Sequence, residues 1–539
     1  MSPDAHPSGG TRGPGPDDSY VLAVDLGTGG PKVALVSATG RIAASAVEPV
    51  ELHLLPGGGA EQDPAAWWGA IVSAARRALA EGAVAASAIV GIGCTAQWSG
   101  TVATGADGAP LRPAVIWMDS RGSRAMRRQA GGAVKVMGYD VRKIQRWIRL
   151  TGGAPGQSGK DPLAHILWMR QEEPDIYRDT YKFLEPVDWL NQQLTGRFAA
   201  SHDSIVLHWV TDNRRIGDIG YDDTLLRMAG IDRAKLPDLV PSATVMGQLR
   251  PEAADALGLP AGLPVATGTG DVHSAAVGSG AVTDFAGHLY IGTSSWVSCH
   301  VPFKKTDPLH NVASIPAAIP GRYLVADEHE TAGACLGFLA DNVLFGDDAL
   351  GRTVPDGNVF ALFDDVAAGV EPGAHGVLFT PWLNGERSPV DDHTIRGGFH
   401  NLSLSNRRTD LVRAVYEGVA LNTRWLLGAV ERFVGRELEP LAFIGGGANS
   451  DVWAQVHADV TGRRINQIAD PVLANVRGAG LLTFLALGRV EVDDIAAMVE
   501  VRATYTPDAD RTRVYDRLYP EFVNLYKRTR KIHKRLNHH

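Results

Sequence analysis

The chain has 539 residues, 45% hydrophobic and 21% charged, with a formal net charge of −8. That length exceeds what one hydrophobic core serves, about 250–300 residues, so more than one domain is expected. The acidic balance points away from nucleic acid, no run approaches the ~20 apolar residues of a membrane span, and Cys94, Cys299 and Cys335 form no CxxC pair, which fits a reducing cytoplasm better than a disulfide framework or a zinc site.

Residues 1–19 hold Pro, Gly and polar residues without an apolar core. They read as a disordered tail, not a secretory signal, and are too few for a DNA-binding helix-turn-helix. Tyr20 to Leu26 reads as a buried strand feeding Gly27-Thr28-Gly29-Gly30, with a second strand over Lys32 to Val36 and a third after Gly40. Strand, glycine turn, strand is a hairpin whose turn can hold an anion, and Asp25 stands where a carboxylate meets a metal or a phosphate-bound water. A plain hairpin with a turn aspartate reads the same way. Asp63 suits an N-cap, with Pro64 at the first position of a helix through Trp67, Trp68, Ile71, Ala75 and Leu79 to Gly82.

A strand over Ile89 to Ile92 leads into the loop Cys94 to Gly100, and one over Ala114 to Trp117 into Met118-Asp119-Ser120-Arg121. Strand ends in α/β sheets are where ligands sit. Gln97, Asp119 and Arg121 offer donors and acceptors to a polyhydroxylated molecule; alternatively Asp119 and Arg121 pair with each other. Gly152 to Asp161 looks like a Walker A loop but has Ala154 and Asp161 where glycine and Ser or Thr are required, so a mobile loop is expected. Helices follow over 162–170, 188–194, 222–228 and 251–257. A domain boundary is placed near Leu263.

The stretch from Val265 to Val297 carries two glycine turns. Asp271 follows Gly268-Thr269-Gly270, and Gly292-Thr293-Ser294 follows the apolar run Leu289-Tyr290-Ile291. Glycine lets backbone approach closely, so a carboxylate there can reach a substrate, and a Gly-Thr-Ser turn offers N–H groups and hydroxyls to phosphate. A base beside a phosphate cradle is the minimum kit for moving a phosphoryl group onto an alcohol. The second turn echoes the first hairpin, suggesting two like domains.

A helix is expected from His329 to Leu339, where Ala332, Gly333 and Ala334 permit close approach of a ligand or helix. Gly385-Glu386-Arg387-Ser388-Pro389 forms a polar loop, and Asp410 to Phe433 reads as the longest helix. The strand Leu441 to Ile444 runs into Gly445-Gly446-Gly447-Ala448-Asn449-Ser450, where Asn449 or Ser450 caps the next helix. Asp451 opening that helix disfavours phosphate, so a triple glycine there suits adenosine. Arg477 to Leu487 is a small-residue helix expected behind that site. The basic end of the chain carries no assigned function.

In order, Asp25-Leu26-Gly27-Thr28, Glu61-Gln62-Asp63-Pro64 with Trp67-Trp68, Trp117 to Arg121, Gly270-Asp271, Gly292-Thr293-Ser294, Gly385 to Pro389 and Gly445 to Ala448 resemble the FGGY carbohydrate kinases, and within them the xylulose-kinase-like branch, from Tyr20 to about Arg489. The resemblance implies an α/β fold of two actin-like (ribonuclease-H-like) domains flanking an ATP and sugar cleft. It implies a sugar-binding domain over 20–263, an ATP-binding domain carrying the base over 264–505, and a helical tail over 506–539. It implies Asp271 as general base, Asp25 serving Mg²⁺, and Thr28, Gly292 and Thr293 near the phosphates. Gly333, Gly446, Gly447 and Asn449 complete the nucleotide side, and Gln97, Trp98, Ser99, Asp119, Arg121 and Val272 the sugar side. Trp98-Ser99 replaces a usual Met-His pair, Val272 a usual asparagine, and Gly29-Gly30 a usual pair of hydroxyl residues.

The expected activity is transfer of a phosphoryl group from ATP to a ketopentose, D-xylulose first. Another pentulose or a C4–C5 polyol is the next alternative, and an actin-like nucleotide sensor the alternative from a different class. The expected partners are small molecules, ATP and a sugar or polyol, in the cytoplasm, with no nucleic acid or membrane; a homodimer is compatible with this reading.

Overall fold

A computed structural model describes residues 19–308, 310–349, 351–352 and 357–537. The tail expected over 1–19 lies, Ser19 apart, outside the described residues. The chain forms two compact units: Met1–Gly278 with Pro316–Pro320 and Asn475–Met498, and Ser279–Ile315 with Gly321–Ala474 and Val499–His539.

In the first unit the central sheet runs in the order Val245–Gln248, Pro264–Ala266, Ile89–Ala96, Tyr20–Gly27, Gly30–Ser37, Ile42–Val47. The last three form an antiparallel meander, to which Ile89–Ala96 and then Pro264–Ala266 add in parallel. Tyr20, Leu22, Val24 and Leu26 on one side and Val21 and Ala23 on the other are all buried, so the strand reads as a continuous apolar run and needs cover on both faces. One cover is the helix Pro64–Glu81. Asp63 caps it by accepting the Ala65 N–H at 2.9 Å, and Trp67, Ile71, Ala74, Ala75 and Ala78 form its buried face. Burying one such isoleucine contributes about 1.5–3 kcal/mol.

In the second unit the sheet order is Thr306–Asp307, Val312–Pro316, Tyr323–His329, Ser295–Val301, Gly287–Ile291, Leu441–Ile444, Ile465–Ile468, Val501–Tyr505. An antiparallel meander again leads into two parallel strands. The short echo between the two glycine turns is therefore an echo of whole sheets.

Several expectations change. The boundary lies at Gly278, not Leu263, because Val265 pairs with Ile92, and Thr269 and Gly270 with Thr95 and Ala96, inside the first sheet. Asp271 thus belongs to the first unit. The strand expected to stop at Ile92 runs on to Ala96. The loop from Gly152 is pinned, since Asp161 Oδ2 accepts the Gly156 N–H at 2.6 Å and the Trp209 indole at 2.8 Å. His329 ends a strand, and the helix begins only at Ala334.

The helix expected over 477–487 runs over Ala474–Ala486. It packs in the first unit, where a Cβ on Gly478 would lie 1.9 Å from Ser274 O and one on Gly480 2.6 Å from Val36 Cβ. Arg408–Val434, at 27 residues, is exceeded by Ala509–Leu536, at 28. That last helix is no loose tail. Tyr515 Oη lies 2.8 Å from both Arg413 Nη2 and Glu417 Oε1, and Phe522 and Tyr526 pack on Trp382 and Trp425. Among the described residues no helix is long and apolar enough to cross a membrane.

Candidate active site

Three parallel strands of the first unit end together. Asp25 stands opposite Thr95, Thr95 opposite Thr269, and Ala96 opposite Gly270, after which Asp271 opens the helix Asp271–Gly278. Thr95 Oγ1 ties the ends by donating to Thr269 O at 3.0 Å. The Asp271 carboxyl accepts the backbone N–H of Val272 at 3.0 Å, and the Trp98 backbone adjoins it. Burial first, then the negative charge of Asp25, push Asp271 up to about 7, against the opposing pull of those backbone groups. A carboxyl poised there is matched to taking a proton from an alcohol near neutral pH.

Asp25 is buried and its Oδ2 accepts from Lys32 Nζ at 3.2 Å. No group of three or more His, Cys, Asp or Glu arranged to hold a metal occurs among the described residues. A lone carboxylate fits Mg²⁺, which keeps several waters and is completed by substrate phosphates, and does not fit a dedicated protein cage.

The other polar residues expected here are engaged with one another. Thr28 Oγ1 donates to Gln97 Oε1 at 3.0 Å and accepts from Trp117 Nε1 at 3.0 Å. Gln97 Nε2 donates to Gln62 Oε1 at 2.7 Å, and Gln62 Nε2 returns to Thr28 O at 2.8 Å. Gln97 is only 2% exposed. Thr28 and Gln97, expected at phosphate and sugar, are thus joined in one network, with Gln97 buried and Thr28 partly exposed. Asp119, 1% exposed, accepts the Ala60 and Arg121 N–H groups at 2.9 Å and the Arg121 guanidinium at 2.6 Å; Arg121 also pairs with Glu61 and lies 4.0 Å over the Trp168 ring. Of the two readings for this pair, mutual pairing is the one the structure contains.

Ser99 adopts φ +68° and donates its hydroxyl to Lys160 O at 2.8 Å. Trp98 lies against Gly270, where a Cβ would come within 2.8 Å of the indole. Its Nε1 donates to Ser204 O at 2.9 Å, and its ring meets His273 edge-on at 5.0 Å. Glycine at 270 is thus required by the ring above it. Glu185 escaped the sequence reading. Its Oε2 accepts the Gly100 N–H at 2.9 Å, and burial, then the charge of Asp188, hold its carboxyl well above the usual range. A glutamate just before Pro186, the residue that starts the helix Pro186–Thr195, was its one visible signal; the sequence reading began that helix only at Asp188.

In the second unit, the turn between Gly287–Ile291 and Ser295–Val301 is closed by Gly292 N–H to Ser294 O at 2.9 Å. The segment before the helix Ala334–Leu339 is fastened to it: Ala332 N–H donates to Thr293 O at 2.9 Å and Gly333 N–H to Gly292 O at 2.8 Å. A Cβ on Gly333 would sit 2.4 Å from Gly292 O, so glycine is sterically required. That segment hangs on Glu386, whose Oε1 accepts the N–H groups of Glu330 (3.1 Å) and Arg387 (2.9 Å) and whose Oε2 accepts Asn422 Nδ2 at 2.7 Å. Burial pushes the Glu386 carboxyl up to about 8. Glu386→Ala removes one acceptor from three donors. It is expected to cost about 2–5 kcal/mol in denaturant unfolding and to raise the KM for ATP, with Glu386→Gln retaining most of both.

The triple glycine lies beside this turn, since Gly287–Ile291 and Leu441–Ile444 pair in parallel. Gly445 has φ +87° and would place a Cβ 2.4 Å from Ile291 O, and Gly447 would place one 2.6 Å from Ile291 Cγ2. Two of the three glycines therefore answer to strand packing; only Gly446 faces open space. Asn449 is exposed, and Ser450 is the cap, accepting the Trp453 N–H at 2.9 Å.

Residues 20–278 match the N-terminal domain of the FGGY family of carbohydrate kinases, and residues 288–487 its C-terminal domain. A xylulose kinase of Streptomyces rubiginosus is 31% identical over 478 residues, covering 86% of this chain and 88% of the relative. The chain belongs to the FGGY family of carbohydrate kinases. This FGGY kinase is also 28% identical over 527 residues to a xylulose kinase of Staphylococcus epidermidis, covering 95% of this chain and 97% of the relative. The crystal structure of xylulose kinase from Rhodospirillum rubrum superposes with a TM-score of 0.79 at 26% identity, covering 95% of this chain and 99% of that one. The FGGY fold is the two-domain actin-like one, in keeping with the repeated sheets, and it makes this protein a sugar kinase, an enzyme and not a nucleotide sensor.

Proposed function

We propose that this FGGY kinase transfers the γ-phosphoryl group of ATP to a hydroxyl of a ketopentose, D-xylulose first. The observation that carries the reading is Asp271, poised near neutrality at the shared end of three parallel strands. Relatives named xylulose kinase along nearly the whole chain direct it to that sugar.

In this reading Asp271 takes the proton of the attacking hydroxyl. That oxygen forms a bond to the γ-phosphorus as the bond to the bridging oxygen breaks, and ADP leaves. The amides of Thr293 and Ser294 receive phosphate, and the open face of Gly446 with the exposed Asn449 receives adenosine. Mg²⁺ bound with ATP at Asp25 would neutralise phosphate charge. Positioning and charge neutralisation suffice for such a step. Trp98, Ser99 and Val272 depart from the family's usual residues and favour, as a second reading, another pentulose or a C4–C5 polyol.

ADP release with Mg·ATP across ketopentoses, pentitols, tetritols and glycerol tests this. Turnover of D-xylulose that disappears in Asp271→Ala is the expected result. Turnover confined to another acceptor moves the assignment to that compound, and silence across the panel overturns the reading.

A further inference from the structure

We propose that the C-terminal end of the helix Ala509–Leu536 is a docking face for an anionic phospholipid surface, onto which the enzyme adsorbs without crossing it. No part of this rests on the identity of the acceptor sugar.

After Glu521 the sequence holds no acid, and Lys527, Arg528, Arg530, Lys531, Lys534 and Arg535 crowd one short stretch of a chain that is −8 overall. All six are exposed. Exposed arginines elsewhere, such as Arg178, Arg214, Arg464 and Arg502, each face a carboxylate. Among the described residues none of these six forms an ion pair. Lys527 and Lys531, Arg530 and Lys534, and Lys531 and Arg535 are spaced by four, where like charges on a helix repel. An anionic partner relieves that repulsion.

The face is held rigid. Phe522 and Tyr526 pack on Trp382 and Trp425, Tyr526 Oη donates to Asp392 Oδ2 at 3.4 Å, and Asn537 Nδ2 donates to Thr394 O at 2.9 Å. At 3.6 residues per turn the six cations share an arc of roughly 160°, turned away from that packing. The acids of the adjoining loop are engaged, Asp391 with His393 at 3.2 Å and Asp392 with the Thr394 N–H at 3.0 Å. Beside the arc stand Ile532 and Leu536, one turn apart and 46% and 69% exposed. A nucleic-acid backbone gains nothing from them. A membrane interface takes cations among its headgroups and apolar side chains just beneath. Two apolar residues make the contact reversible, and a surface contact needs no spanning helix.

The test sediments full-length protein with vesicles of phosphatidylcholine alone or mixed with phosphatidylglycerol. At low salt, partition onto the mixed vesicles should be at least about tenfold higher, and the difference should vanish in ~1 M salt, where the Debye length is about 3 Å. Lys527→Glu, Lys531→Glu and Lys534→Glu together should lower that partition at least about tenfold. Ile532→Ser with Leu536→Ser, which keeps every charge, should lower it about threefold or more. Turnover and Tm should match wild type in both variants. The salt arm and the Ile532 and Leu536 variant decide by themselves if the charge-reversed chain does not fold. Equal partition onto the two kinds of vesicle, or undiminished binding by a folded charge-reversed variant, overturns the proposal. Tighter binding to an oligonucleotide than to vesicles of equal phosphate content, indifferent to the loss of Ile532 and Leu536, also overturns it and gives the face to nucleic acid.

Discussion

Asp271→Ala is expected to lower kcat by about 10²–10⁴-fold, the usual worth of a general base, while ATP binding measured by calorimetry stays unchanged. Substantial residual turnover would remove Asp271 from the base role. The pH profile carries the same assignment. With the carboxyl at about 7, kcat/KM should rise with pH through that value and level off above it, because the base must be ionised. Stability runs the other way. The ordinary aspartate value is 3.8 and the folded value about 7, so between them the folded chain holds a proton that the unfolded chain has released. The contribution of this residue to stability is therefore largest at low pH and declines as pH rises toward 7. Asp271→Asn should raise Tm above pH 7, with the gain shrinking toward pH 4. An inactive variant that is also more stable separates a strained functional carboxyl from a structural one.

Gly478→Val is expected to damage stability and turnover together. Gly478 brings the helix Ala474–Ala486 onto the backbone of Asp271–Gly278, and even a methyl group would sit 1.9 Å from Ser274 O, three residues after the base. Backbone must move to admit it, and overpacking of this kind costs about 1–3 kcal/mol. The displaced helix carries Asp271, so kcat should fall by at least about tenfold with little change in the KM for ATP, since a small misplacement of a catalytic group is costly. Wild-type kcat in a folded Gly478→Val protein would show that the contact does not position the base. Gly428→Ala provides the contrast, because the nearest atom to a Cβ there is the far end of the Arg432 side chain, at 3.4 Å.

Local pattern was legible where one element explains itself. The run from Tyr20 to Leu26, the glycine turn after it and the Asp63-Pro64 helix start are each visible because hydrophobic periodicity and capping act within a few residues. The order of motifs was enough for the family, and hence for the two-domain fold. Partners across the chain were not legible. Thr28 and Gln97 have the right chemistry for ligands, but which atom satisfies a polar group depends on contacts 69 and 35 residues apart, Thr28 with Gln97 and Gln97 with Gln62. Glycines show the same limit. Gly478 and Gly480 announce a close approach without saying to what, and Gly445 and Gly447 prove to lie tight against Ile291.

The return of Asn475–Met498 to the first unit bears on how the chain is made. On the ribosome, residues up to Gly278 emerge with every strand of their sheet present but with one face of Val36 and Gly93 lacking its cover. That cover arrives only after most of the second unit has been translated, tens of seconds later at ~5–20 residues per second. During that interval the nascent sheet shows an apolar surface that a chaperone can hold, and the first unit cannot finish as an independent cotranslational domain. A protein released prematurely before Asn475 should therefore aggregate or be degraded, even though every residue assigned to its acceptor pocket is already present.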